Sequence, residues 1–482
     1  MIINFRIISY LLGNILLYLA VAMSVPLLYS FITISKGSAE FLISAIFLVV
    51  LGLVLKHYGK SDVMHMTIKD MFLFTTLVWI TALTMSAIPI VLILKVDVIS
   101  ACYETASAIS TTGSTVLGDV NKLPKSIILW RSILQYIGGL GFIVAGIAIL
   151  PNLNVGGMKL FQTESSERNT GNVTPKSRTL AKGILFLYIG SAILATITFY
   201  ILGMNFFDAI NHAMTAVSTG GMSTRNESMD YYSKSIHWAI TFFMFLGSLP
   251  FALMVTSIRS HSSVFFRDAQ VRGFFSIIVV VSALVTLSLI FQQHYDVMDA
   301  LRVAVFNVVN VLSSTGYTLE DFSAYNNFIS MIFFIILPIG ACSGSTSGGL
   351  KVFRLQISFT LFKRQIHQLM HPSAVFPQRY NNQNVNDTIV RSIIAFFCAY
   401  FGFTVLSAVL LALSGLNVMD AVTTTISCLS NIGPAMGPSF GSYGNFSILT
   451  GFQKLVLLTD MILGRLEVLT MLICFMPSFW KV

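Results

Sequence analysis

The stretch DVISACYETASAISTTGST, residues 97–115, decides how this chain is read. It opens on an Asp able to cap a helix, continues for about a dozen semi-apolar residues and closes on a Ser/Thr/Gly cluster. Three further segments follow the same plan: DAINHAMTAVSTGGMST (208–224), DALRVAVFNVVNVLSSTGYT (299–318) and DAVTTTISCLSNIGP (420–434). A register fixed on Gly113, Gly220, Gly316 and Gly433 puts Thr112, Thr219, Thr315 and Ile432 before the glycine, so one unit recurs four times. A helix of about ten to fourteen residues cannot cross a hydrocarbon core of about 30 Å, which needs about 20. Each segment is therefore predicted to enter the membrane as a half-helix, capped by Asp97, Asp208, Asp299 or Asp420, and to turn back. Non-helical backbone persists at that depth only where protein buries it or it lines a water-filled cavity. Four such loops converging on one axis would line a pore.

The rest of the chain agrees with a membrane reading. Of its 482 residues 55% are hydrophobic and 10% charged, against about 25% charged in soluble domains. Apolar blocks predict ten spans, at 8–33, 41–55, 71–94, 126–150, 180–203, 235–258, 273–292, 328–362, 389–414 and 455–478. Ala20-Val21-Ala22 has the small residues of a cleavage site, but the apolar run continues to Ile32, so the first block is read as a span. With the N-terminus inside, most Lys and Arg fall on the inner side, among them Lys56, Lys60, Lys159, Arg168, Arg259, Arg267, Arg354, Lys363 and Arg364. The net charge of +9 thus speaks of orientation, and the scattered basic residues do not form a nucleic-acid surface. Glu104, Asp119, Asp208, Asp230, Asp299, Glu320 and Asp420 fall on the outer half, as an acidic vestibule or an ordinary solvated surface. Cys102, Cys342, Cys398, Cys428 and Cys474 form no CxxC pair and are read as packing residues.

The loop chemistry suits a monovalent cation. Glycine allows carbonyl oxygens to turn inward, Ser and Thr add neutral oxygens, and the C-terminal end of each half-helix adds partial negative charge. A polyvalent cation would ask for carboxylates in the ring, and none of the four clusters holds one. Enzyme signatures are missing: the eight histidines form no HExxH, and no GxSxG elbow occurs. GSTSGGLK (344–351) lacks the Gly-Lys-Ser/Thr of a phosphate loop and lies in a span. No organic cofactor is expected.

On STTGST (110–115), STGG (218–221), SSTGYT (313–318), SNIGP (430–434), WRSILQYIGGLG (130–141), SGSTSGGLKVFR (343–354) and GRLE (464–467), the chain resembles the Trk/Ktr/HKT superfamily of potassium transporters, closest to the TrkH-type membrane subunit. The resemblance implies an all-α integral membrane protein of about ten transmembrane helices with four re-entrant pore loops in pseudo-fourfold repeats, preceded by an extra helix pair. The expected division is 1–66 (helix pair), 67–158, 159–266, 267–372 and 373–482 (pore repeats one to four). Potassium is the implied transported ion, in the inner membrane of a prokaryote, and cation-coupled secondary transport of potassium or sodium is the alternative. The implied filter residues are Thr111, Thr112, Gly113, Thr219, Gly220, Gly221, Thr315, Gly316, Tyr317, Asn431, Ile432 and Gly433. A glycine at the key position of all four repeats goes with potassium preference in the family, and serine in the first repeat goes with sodium permeation in some plant relatives. The family implies a homodimer and a cytosolic nucleotide-binding partner with RCK domains, which the basic inner connection 363–391 would meet.

Below the filter, GACSGSTSGG (340–349) is dense enough in Gly and Ser to unwind the eighth span. The family has a gate there, which implicates Gly340, Ser343, Gly344, Ser345, Gly348 and Gly349. Arg465 lies mid-span with Met461, Ile462, Val468 and Leu469 one turn away, so no local carboxylate pairs with it. It must pair with another helix or project into the pore, and the family places it in the pore. Gly138, Gly141 and Gly146 are read as close-packing residues, and Arg131 as locally paired.

Overall fold

The structure, a computed structural model, describes residues 3–60, 66–148, 175–261, 263–321, 325–374, 376–381, 383–441 and 444–481. The expected boundary at 158/159, Lys159, Arg168 and the inner end of the fourth expected span lie outside the described residues. The chain is a multi-span, mostly helical membrane protein.

Helices α1 (Phe5–Ile32) and α2 (Ser38–Tyr58) form the extra N-terminal pair. Their backbones touch at two glycines, where a Cβ on Gly13 would lie 2.6 Å from the Gly52 carbonyl oxygen. Small residues allow such approach where apolar surface alone drives no association in lipid. α1 runs unbroken through Ala20-Val21-Ala22. Four units follow, each a helix, a short helix and a second helix. The first holds α3 (Ile68–Ser86), α4 (Ile88–Leu94), α5 (Val98–Ile109) and α6 (Lys125–Ala148). The second holds α7 (Pro175–Ile201), α8 (Phe206–Val217), α9 (Lys234–Gly247) and α10 (Phe251–Ser260). After the short α11 (Val264–Arg267), the third holds α12 (Ala269–Gln293), α13 (Val297–Leu312), α14 (Asn327–Ile336) and α15 (Val352–Met370). The fourth holds α16 (Asp387–Leu413), α17 (Val418–Leu429), α18 (Gly451–Arg465) and α19 (Leu469–Phe475), and α20 (Pro477–Trp480) follows it. Among the described residues seven stretches are long and apolar enough to cross a membrane, and α9–α10 makes an eighth as one bent span. α14–α15 and α18–α19 occupy the two remaining expected spans. Phe186, Phe291 and Leu413 stand at least three-quarters exposed on the outer helices, the surface a protein offers to lipid rather than to water.

Three of the four second helices are broken, where the sequence announces only one break. α9 and α10 meet at 88° across Ser248–Pro250, so the span expected at 235–258 is not continuous. Pro250 has no N–H to extend the ladder. The carbonyls freed at Gly247 and Ser248 accept instead from the N–H groups of Thr346 (3.2 Å) and Cys342 (3.3 Å) in the loop between α14 and α15. The last span breaks between Arg465 and Leu469, with Glu467 at φ +54°. The connection expected as a solvated loop at 363–391 is partly ordered: α15 reaches Met370, Arg379–Tyr380 pairs antiparallel with Gln383–Asn384, and the Tyr380 hydroxyl donates to Gln356 at 2.8 Å.

The four short helices α5, α8, α13 and α17 have 12, 12, 16 and 12 residues. Asp97 caps α5 as expected, accepting from the Ser100 N–H at 2.9 Å. In the other three the cap lies three residues before the expected Asp, at Asn205, Asp296 and Asn417. Asp208, Asp299 and Asp420 fall in the first turn, where a carboxylate still favours the positive helix end. All four helices end on a serine, Ser110, Ser218, Ser313 or Ser430.

Candidate permeation site

Each short helix runs into a strand with one recurring backbone. Thr111, Thr219, Ser314 and Asn431 have φ of +56°, +49°, +54° and +53°. Two residues on, Gly113, Gly221, Gly316 and Gly433 have φ of +91°, +71°, +87° and +97°. Between them the N–H groups of Thr112, Gly220, Thr315 and Ile432 donate back into the helix, to the carbonyls of Ser107, Thr215, Asn310 and Ser427, at 2.8–3.0 Å. The second repeat is therefore in register on Gly221, and Gly220 matches Thr112, Thr315 and Ile432. This shifts the expected register by one residue. Of two adjacent glycines either could take the left-handed conformation, and the sequence alone does not say which.

The strands close into a ring. A Cβ placed on Gly113 would lie 2.3 Å from the Gly220 carbonyl oxygen. The same construction at Gly221 meets the Thr315 oxygen at 2.0 Å, at Gly316 the Ile432 oxygen at 1.8 Å, and at Gly433 the Thr112 oxygen at 2.5 Å. Each glycine thus faces the carbonyl of the next repeat, in the order one, two, three, four and back to one. No side chain other than hydrogen fits there, and the four oxygens hold corresponding positions in the ring although their residues' side chains differ. Ile432 diverges in its side chain alone. A cavity of about 470 Å³ opens over the ring, with Gly113, Gly221, Gly316, Asp119, Arg131 and Arg225 in its lining.

Polar groups behind the ring fix it. Glu104 on α5 accepts from the Thr115 hydroxyl (3.1 Å) and the Val116 N–H (3.0 Å), just past Gly113. Asp208 accepts from the Thr224 hydroxyl at 2.7 Å, and Asp420 from that of Ser439 at 2.6 Å. The third repeat substitutes an amide: Asn310 donates to the Tyr317 carbonyl (2.5 Å) and accepts its N–H (2.8 Å). Much of the expected outer acid is therefore consumed in bracing. Asp119 remains on the vestibule wall, where its bonds to Lys122 and Asn226 hold its carboxyl below the usual carboxylate range. Arg131 pairs across the interior with Glu104, Nε to Oε1 at 2.7 Å, both groups almost fully buried. Removing one partner of a buried pair strands the other at a cost of about 3–5 kcal/mol. Arg131→Met is accordingly expected to lower the melting temperature of the detergent-purified protein strongly, with Arg131→Lys less affected, and equal melting of all three would refute this.

On the other side of the ring, residues 337–351 form a buried, irregular loop joined to three repeats. Thr346 bonds the Thr219 hydroxyl at 2.9 Å, the Gly348 N–H donates to the Ser314 hydroxyl at 2.6 Å, and a Cβ on Gly348 would lie 2.2 Å from the Ser430 oxygen. Arg465, 1% exposed, donates to the Thr346 carbonyl (2.9 Å) and the Gly138 carbonyl (3.4 Å) and lies 4.2 Å over the Phe142 ring. No carboxylate pairs with it among the described residues. Glu467 instead pairs with Arg354 at 2.6 Å. Lys351 bonds the Ser347 carbonyl and shares the Phe142 ring at 5.2 Å.

Residues 37–482 match the family model described as TrkH, cation transport protein. The chain belongs to the TrkH family. The Trk system potassium uptake protein TrkI of Halomonas elongata is 37% identical over 472 residues, covering 96% of this chain and 95% of that protein. The corresponding TrkH of Escherichia coli K12 is 28% identical, covering 99% and 100%. The crystal structure of the potassium transporter TrkH from Vibrio parahaemolyticus aligns with a TM-score of 0.92 at 29% identity, covering 99% of this chain and 100% of that one. These relatives are named as transport proteins and not as enzymes.

In this TrkH-family chain all twelve expected filter residues lie in the four strands, but they do different things. Tyr317 sends its hydroxyl to Thr215 (2.5 Å) and the His212 carbonyl (3.2 Å) on α8, propping the second repeat. Asn431 donates to Thr112 (3.1 Å) and to the Met461 carbonyl (2.9 Å), locking the fourth repeat to the first. Gly138 packs as expected, since a Cβ there would lie 1.8 Å from the Ile109 carbonyl, whereas Gly141 has open space. The packing expected at Gly146 falls outside what is described. Sequence reasoning placed Glu104 on the outer half without its bracing role and missed Gln135, a lone amide in an otherwise apolar run, which was the available signal.

Proposed function

We propose that this protein mediates potassium uptake through a channel-like pore whose selectivity filter is the four-strand ring and whose gate is the loop 340–349 with Arg465. The reading rests on one observation, the cyclic contact of each repeat's glycine with the next repeat's carbonyl. A ring of neutral oxygens, free of carboxylates, replaces the hydration shell of an ion that sheds water easily, and the relatives are named for potassium uptake. The filter comprises Thr111, Thr112, Gly113, Thr219, Gly220, Gly221, Thr315, Gly316, Asn431, Ile432 and Gly433, with Tyr317 as its prop. The repeats divide at 67–158, 159–266, 267–372 and 373–482. By family resemblance the protein is a homodimer in the bacterial inner membrane with its N-terminus inside, and a nucleotide-binding RCK-type subunit docks on its inner face.

Reversal potentials of the purified protein in planar bilayers under potassium, sodium and proton gradients test this reading. Potentials following potassium, and rubidium in its place, are expected; a potential set by coupled sodium or proton movement would replace it with a secondary transporter. Deleting Ser343–Ser345 is expected to raise rubidium flux in liposomes several-fold, because the loop is the irregular backbone tied beneath three strands. A folded deletion with unaltered flux would sink the gate.

A further inference from the structure

We propose that Gln135 is a specificity-determining residue of the ring, an inference that rests on the filter reading above. At three of the four equivalent positions the chain supplies its own side chain, from Thr112, Thr315 and Ile432; at the fourth stands Gly220. Gln135 of α6, fully buried, fills that space: a Cβ on Gly220 would lie 2.4 Å from its Cδ, 2.5 Å from Oε1 and 2.7 Å from Nε2. Its amide spans Gly221 on both sides. Nε2 donates to the Gly220 carbonyl at 2.5 Å, and Oε1 accepts the Met222 N–H at 3.2 Å.

The Gly220 oxygen is the ring oxygen that faces Gly113. Among the described residues the carbonyls of Thr112, Thr315 and Ile432 accept no hydrogen bond. One oxygen in four therefore already shares its lone pairs, and it presents a weaker field to a passing cation than its three counterparts. Gln135 lowers the field of the ring on one side and holds that side at fixed distance. Without its donor the Gly220 oxygen gains field strength and freedom to close in, and both changes favour the smaller sodium ion.

The test uses the full-length protein in liposomes, with rubidium-86 and sodium-22 uptake measured side by side. Gln135→Met keeps the volume and removes the donor, and it is expected to raise the sodium-to-rubidium ratio about fivefold, the scale one net hydrogen bond allows. Gly220→Ala reaches the same bond from the other side, because its methyl takes the place of the amide, and should shift the ratio in the same direction. The double variant should shift it no further than Gln135→Met. Gly113→Ser serves as the control. If Gly113→Ser shifts the ratio and neither Gln135→Met nor Gly220→Ala does, Gln135 is a packing residue and the inference falls alone. If Gly113→Ser also leaves the ratio unchanged, the filter reading falls with it. Should Gln135→Met not survive purification, Gly220→Ala decides between the same two outcomes.

Discussion

Gly113→Ser is expected to raise sodium uptake relative to rubidium by about tenfold, a change of about 1.4 kcal/mol in relative barrier height. The glycine has φ +91°, a conformation L side chains rarely adopt, and its Cβ would stand 2.3 Å from the Gly220 oxygen. The serine must therefore push the second strand aside or drag the first out of line, and its hydroxyl adds a polar group beside a ring oxygen. A wider, wetter ring holds a dehydrated potassium-sized ion less well and lets a partly hydrated sodium ion pass. Because the contact recurs at Gly221, Gly316 and Gly433, serine at any of them should act in the same direction. Liposome uptake of the two isotopes at matched protein amounts reads the ratio, and an unchanged ratio in the folded Gly113→Ser protein would mean that the filter lies elsewhere.

Arg465→Gln is expected to increase potassium flux while leaving expression and melting close to those of the parent. A unit charge about 5 Å from a passing cation costs about 3 kcal/mol at an effective dielectric constant of about 20, which sets a ceiling of about a hundredfold on the gain. The structure separates this from a structural role. Arg465 pairs with no carboxylate among the described residues, and its hydrogen bonds go to the Thr346 and Gly138 carbonyls, which a glutamine amide can also satisfy in part. Removing the charge therefore strands no buried anion, in contrast to Arg131. A variant that melts early and conducts no better would assign Arg465 to the scaffold. Because Arg465 touches the loop at Thr346, combining Arg465→Gln with the Ser343–Ser345 deletion should give less than the product of the two separate gains.

The sequence carried the architecture because its strongest signals are local. Span length, the fourfold Ser/Thr/Gly motif and the Gly/Ser run at 340–349 each follow from a few adjacent residues, and they stand where they were expected apart from the one-residue shift in the second repeat and the bend in the span at 235–258. What escaped depends on contacts distant along the chain. The bend at Ser248–Pro250 persists because N–H groups of a loop some hundred residues on donate to its orphaned carbonyls, and the break after Arg465 has no glycine or proline within it to mark it. The caps at Asn205, Asp296 and Asn417 were hidden by the more conspicuous Asp three residues later. Gln135, which occupies the space beside Gly220 and bonds on both sides of Gly221, lies on another helix. The outer carboxylates could be counted from the sequence, but their consumption by Thr115, Thr224 and Ser439 could not.

The seam between the last repeat and the first sets a schedule for biogenesis. Thr112 meets Asn431 across 319 residues, and Thr115 exchanges backbone hydrogen bonds with Gly444 and Phe446. A chain emerging from the ribosome inserts three repeats before the partners of the first exist, so the seam stays open until the final quarter arrives. Contacts this far apart are slow to form and leave unpaired backbone waiting in the meantime. Lesions in the last repeat should therefore be felt as failed assembly of the first, and a chain truncated before residue 431 is expected to leave the first repeat's strand without these partners.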